Sequence, residues 1–166
     1  MGMETTDKIE LFGTIAHNQC EHVEDLYKFT RDMFGLPKVH IAEAAAIAMD
    51  KACQSDDNLA EKLGTLAVIA MTGYKFYNDV EANKIANVMA DLYRRKNTDY
   101  GNSFDESLDR FGIVVALSRM CDKVNRLKRL VINPKEAQVK DESIADTYID
   151  LANYAVMTIM WKQNGK

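Results

Sequence analysis

Glu142, Asp146 and Asp150 place three carboxylates at every fourth position near the C-terminus of a 166-residue chain. On a helix turning about 100° per residue, they share an arc of about 80° with Asn153. Like charges stacked one turn apart repel by a few tenths of a kcal/mol per pair, so this stripe calls for a cation. Two readings are open. Asp141, Glu142 and Asp146 sit where a helix would begin, where acids favour the macrodipole, and Ser143 with Asp146 has capping-box spacing. Asp150 lies deeper in the helix, beyond that reach, and is what carboxylates gathered around a divalent cation would require.

A second stripe precedes the first. Arg119, Asp122, Lys123 and Arg126 fall within about 100° of one another, opposite Ala116, Leu117, Met120, Val124 and Leu127. Taken alone, Asp122 and Arg126 make an ordinary surface pair at i, i+4. Taken with the acidic stripe, the two helices are expected to pack antiparallel across a short connection. Glu142, Asp146, Asp150 and Asp122 would then hold Mg²⁺ or Mn²⁺, with Arg119, Lys123 and Arg126 on phosphate oxygens.

Residues 94–112, RRKNTDYGNSFDESLDRFG, form a third block. Ser103 and Glu106 read as an S-x-x-E capping box, Gly101 as a left-handed backbone position, and Gly112 as a break before the next helix. Turn chemistry leaves Arg94, Arg95, Lys96, Asp99, Tyr100 and Asn102 unexplained. A cation cluster, an aromatic face and an amide suit phosphate, stacking and base-edge contacts, so the N-terminal side of this block is expected to be a nucleotide-contacting loop. His17, Cys20 and His22 hint at a soft-metal site, but position 22 leaves the shared helix face and a fourth ligand is missing. There is no Walker loop, G-x-G-x-x-G or G-x-S-x-G.

Helices must position these groups. Helical periodicity runs through 5–18, 21–35 (ending at Gly35 as a C′ residue), 41–54, 55–77, 79–97, 112–131 and 141–163. LPKVH reads as a connector, and Asn133-Pro134 opens a loop. KVHIA and GIVVAL are the only strand-like runs, and helical spacing explains the second equally well. The expected fold is all-α, a compact multi-helix bundle. Residues 1–78 would form an N-terminal helical layer or oligomerisation element, and residues 79–166 the chemical unit.

Composition narrows the function. With 47% hydrophobic residues the chain can bury a core, and a net charge of −4 argues against broad duplex nucleic-acid binding. Three cysteines argue for a reduced environment rather than a disulfide framework. No N-terminal signal pattern and no membrane-spanning run are seen, so a cytoplasmic location is expected.

KNTDYGNSFDESLDRFG, SRMCDKVNRLKRL and VKDESIADTYIDLANYAVMTIM, in that order, resemble the phage and prophage family called nucleotide modification associated domain, type 1. The resemblance covers about residues 83–160. It implies an α-helical protein of phage nucleotide metabolism, placed in the host cytoplasm. The acidic helix is also similar to that of MazG-like all-α nucleotide pyrophosphohydrolases, which use Mg²⁺ and assemble as oligomers. This chain departs from their paired E-x-x-E and E-x-x-D helices: it has E-x-x-x-D-x-x-x-D.

The leading expectation is therefore a Mg²⁺-dependent nucleotide phosphohydrolase or pyrophosphohydrolase that forms a homo-oligomer. Glu142, Asp146 and Asp150 would be catalytic, with Arg95, Lys96, Asp99, Tyr100, Asn102, Arg119, Lys123, Arg126 and Asn153 on the nucleotide. The alternative is a non-catalytic binder that senses or sequesters a nucleotide, such as an anti-defence sponge for cyclic or ADP-ribose-type messengers. A structural helical adaptor is the third reading.

Overall fold

The structure is a computed structural model that describes residues 3–134 and 142–165. The described residues are helical, with no strand among them: α1 (Thr5–Asn18), α2 (Cys20–Met33), α3 (Pro37–Gln54), α4 (Leu59–Asn78), α5 (Ala82–Tyr100), α6 (Ser103–Phe111), α7 (Val114–Leu127), a π-helical segment (Lys128–Ile132) and α8 (Ile144–Gln163). The all-α expectation holds. No described helix is long and apolar enough to cross a membrane.

Two helices form the axis of the bundle because they are apolar around most of their circumference. Leu63, Leu66, Ala67, Ala70 and Met71 of α4 are buried, as are Tyr148, Leu151, Ala152, Ala155 and Val156 of α8. α4 lies along α8, α3 and α2 pack on α4, α7 packs on α8, and α1 packs on α5. One hydrophobic cluster runs from Phe12 to Met160, so residues before and after 78 share a core. At the α4–α8 crossing, Gly73 lets the Tyr148 ring lie against the helix backbone. A Cβ there would stand 2.3 Å from Tyr148 Cε1.

Several local expectations change. KVHIA is helical: Pro37 occupies the first turn of α3, where its missing N–H costs nothing, so LPKVH is largely a helix start rather than a connector. α2 ends on Phe34 in an extended conformation, and Gly35 does not take a positive φ. The expected loop at 94–100 is the last two turns of α5, which runs on to Tyr100. Gly101 and Gly112 do take left-handed φ values, 60° and 77°.

The S-x-x-E box does not form. The N-cap of α6 is Asn102, and no side chain caps the helix. Lys8 of α1 reaches across instead and donates to Asn102 Oδ1 at 2.8 Å and Asp105 Oδ2 at 2.7 Å. The box that does form is at Ser143. Its Oγ accepts from the Asp146 backbone N–H at 3.0 Å, and the Asp146 carboxylate accepts from the Ser143 N–H at 3.0 Å. Asn133 ends the π-helical segment, its N–H bonded to Lys128 O; the rest of the expected loop, 135–140, and Asp141, the expected helix start, lie outside the described residues.

Candidate ligand-binding cleft

The two stripes meet. Going up α7, Arg119, Lys123 and Arg126 stand opposite Tyr154, Asp150 and Thr147 of α8 in turn, a descending order that makes the pair antiparallel. α5 approaches α8 in the same sense, with Met89 beside Asn153 and Lys96 beside Asp150. Where α5, the 101–102 turn, α6, α7 and α8 converge, they enclose a cleft of ≈ 420 Å³. Tyr93, Lys96, Asn97 and Tyr100 line it from α5, Phe104 and Asp105 from α6, Arg119 from α7, and Asp150, Asn153, Tyr154 and Met157 from α8.

At the inner end, Lys123 Nζ lies 2.8 Å from Glu142 Oε1 and 3.0 Å from Asp150 Oδ2, while Lys96 Nζ lies 3.0 Å from Asp150 Oδ1. Lysines thus supply the cation that the acidic stripe needs. Burial on its own would lower the Lys123 pKa; the hydrogen bonds and charges of Glu142 and Asp150 outweigh it and hold the ammonium above its ordinary value.

Arg126 is an anchor for the start of α8. Its Nε donates to Thr147 Oγ1 at 3.2 Å and its Nη2 to the Glu142 carbonyl at 2.6 Å. Arg119 is different in kind. Its guanidinium lies 5.5 Å from the Phe104 ring centroid and 5.8 Å from that of Tyr154, which holds the cation by its face and leaves N–H edges for a ligand. Among the described residues no carboxylate pairs with it.

Of the residues expected to contact a nucleotide, Lys96, Tyr100, Asn102, Arg119 and Asn153 line the cleft, as does the acid Asp150. Lys123, Arg126 and Glu142 stand behind Asp150 and form no part of the lining. Arg95 turns away to Asp91 at 2.9 Å, and Asp99 is exposed and outside the lining.

The four expected metal ligands do not converge. Asp146 is taken up in the capping box, Asp122 is exposed on α7, and an ammonium separates Glu142 from Asp150. Among the described residues no group of three or more His, Cys, Asp or Glu side chains is placed to hold a metal. The donor set as arranged does not fit a carboxylate-held Mg²⁺.

Sequence reasoning missed Tyr93, Asn97, Phe104, Asp105, Tyr154 and Met157. Tyr154 and Met157 follow Asp150 at i+4 and i+7, so their shared face was legible, but only as core. Asn153 carries a further signal. It is 4% exposed; its Nδ2 donates to Met89 O, and its Oδ1 has no hydrogen-bond partner.

Tyr93 stacks on Phe12 with ring centroids 4.4 Å apart. Burial, and secondarily the Asp105 charge, push its phenol up to about 12. The unfolded phenol ionises near 10, so the folded chain keeps this proton while the unfolded chain loses it. Stability from Tyr93 is therefore complete below about pH 10 and falls away as pH rises towards 12. Titration of tyrosinate absorbance should show a component near 12 that Tyr93→Phe removes.

The fold and cleft together define an all-α protein with an aromatic-walled cleft that carries Lys96, Arg119, Asp105 and Asp150 in its lining. Residues 96–161 match the family described as nucleotide modification associated domain 1. The match begins at Lys96, the cleft's α5 cation, and ends in α8. No curated protein and no solved structure matches the chain.

Proposed function

We propose that the cleft binds a nucleotide or nucleotide-derived small molecule. The observation that carries this reading is Arg119, a cleft-lining guanidinium seated on the adjoining rings of Phe104 and Tyr154 with no acid among the described residues paired to it. A phosphate presents two oxygens to such a fork, and Lys96, whose ammonium pairs with Asp150, lines the cleft from α5. Tyr100 is 72% exposed at the rim, an aromatic surface that a stacked base would cover. Asn97, Asn102 and the unsatisfied Oδ1 of Asn153 supply polar groups for a base edge or sugar. The cleft falls within the usual size range of small-ligand sites. The matched domain's description agrees with this class of ligand.

Calorimetric titration with a panel of nucleoside mono-, di- and triphosphates, with and without Mg²⁺, tests the proposal. At least one nucleotide should bind, and Arg119→Ala should weaken it by about 10- to 100-fold while leaving the melting temperature within a few degrees. An unresponsive panel, or affinity indifferent to Arg119, would sink it. Phosphate or pyrophosphate released during the same incubation would extend the reading from binding to hydrolysis.

A further inference from the structure

Cys53, near the end of α3, and Cys121, in α7, bring their sulfur atoms to 3.8 Å. The two are far apart in sequence, and nothing in the ligand cleft uses them. Cys53 is exposed and Cys121 half-buried, and both are free thiols. Cys121 is pushed up to about 11, first by burial, then by the hydrogen bond and charge of Cys53, and further by Asp122 and Asp50. Cys20, the third cysteine, is half-buried on another helix. Burial and Glu24 raise its pKa, and its thiol points to the Ala16 carbonyl at 3.9 Å.

We propose that Cys53 and Cys121 form a thiol–disulfide exchange site for small, uncharged disulfides, and that the product is a covalent staple between α3 and α7. The exposed member starts the exchange. Cys53 loses its proton, and its thiolate attacks one sulfur of the disulfide, forming a mixed disulfide and expelling one thiolate. Cys121 then loses its proton and attacks the Cys53 sulfur, expelling the second thiolate. The protein dithiol is oxidised by two electrons, the small disulfide is reduced to two thiols, and the two protein protons end on those thiols. Asp50 and Asp122 bear on Cys121 with negative charge, which disfavours anionic disulfides and sets the preference for neutral ones. The sulfurs need to close by roughly 2 Å to bond, a shift that the last turn of α3 can absorb. Cys121 lies on a different side of α7 from Arg119 and Lys123, each two residues away along the helix, so the staple leaves the cleft open.

The test is to incubate the full chain with hydroxyethyl disulfide, map the thiols by mass spectrometry and measure thermal melting. Wild type should lose two hydrogens, yield a single linked peptide pair containing Cys53 and Cys121, and retain no adduct. Cys121→Ala should trap the mixed disulfide on Cys53, Cys53→Ala should block the reaction, and Cys20→Ala should behave as wild type. The oxidised chain should melt roughly 10 °C higher, reversibly with dithiothreitol. A lasting adduct on wild-type Cys53, linkage through Cys20, linkage between chains, or an unmoved melting temperature would each overturn it. Mapping of the wild type stands independently of whether any variant folds.

Discussion

Lys123→Met is expected to cost about 2–3 kcal/mol of stability and to lower the melting temperature by roughly 4–10 °C. The ammonium sits between Glu142 and Asp150, and all three side chains are at least two-thirds buried, at 19%, 29% and 19% exposure. Methionine preserves the length of the stem and removes the charge. Glu142 and Asp150 would then face each other across a site from which water is mostly excluded, both having lost the donor they share. The figure lies below the cost of breaking a fully buried pair because Asp150 keeps Lys96 at 3.0 Å and solvent reaches part of the site. The companion variant is the informative one. Adding Glu142→Gln and Asp150→Asn to Lys123→Met removes the repulsion, so most of the loss should return. If thermal melts show no recovery, Lys123 acts by packing its stem and not by its charge. Ligand affinity should fall with Lys123→Met as well, because Asp150, part of the cleft wall, loses one of its two lysines.

Gly73→Ala should be at least as damaging, at about 3 kcal/mol or more, near or beyond the usual cost of overpacking. The added methyl would meet Tyr148 Cε1 at 2.3 Å and Cδ1 and Cζ at 2.5 Å. Neither side can yield easily. The glycine is in mid-α4, and the ring is fully buried where α4 and α8 run along each other. Because the close atoms belong to the ring, Tyr148→Phe should not rescue the variant, whereas Tyr148→Leu should recover part of the loss. Tyr148→Phe in the wild-type background should instead be neutral or mildly stabilising, by up to about 1 kcal/mol, since the hydroxyl is buried without a hydrogen-bond partner. Urea unfolding of the single and double variants measures all of these. A Gly73→Ala chain as stable as wild type would mean that α4 and α8 can slide apart without loss.

Much of the fold could be read from the chain because the information is local. Helical periodicity marks α4 and α8, Gly101 and Gly112 mark backbone positions that only glycine fills cheaply, and Ser143 with Asp146 marks a cap. The pairing of a basic with an acidic stripe was legible too, since charge needs an answer wherever two faces meet. Where local signals failed, a distant residue had already satisfied the group. Ser103 and Glu106 have the spacing of a cap, yet Lys8 engages Asn102 and Asp105 from another helix, and nothing near residue 103 announces that. Asp146 shares a face with Asp150, but the helix terminus claims it first. The aromatic seat of Arg119 was invisible for a related reason. Nothing in the local sequence singles out Phe104 or Tyr154 until α6, α7 and α8 are brought together.

The Lys8 contacts bear on how such a chain can change over evolutionary time. The segment that matches the family begins at Lys96, yet one wall of its cleft is tied down by a lysine on α1, and Tyr93 just before it is stacked on Phe12 of the same helix. The boundary of the matched segment and the boundary of cooperativity therefore do not coincide. A cleft whose walls are braced from outside the matched segment depends on those braces, so a substitution at Lys8 or Phe12 is as much a change to the site as one at Asp105 or Tyr93.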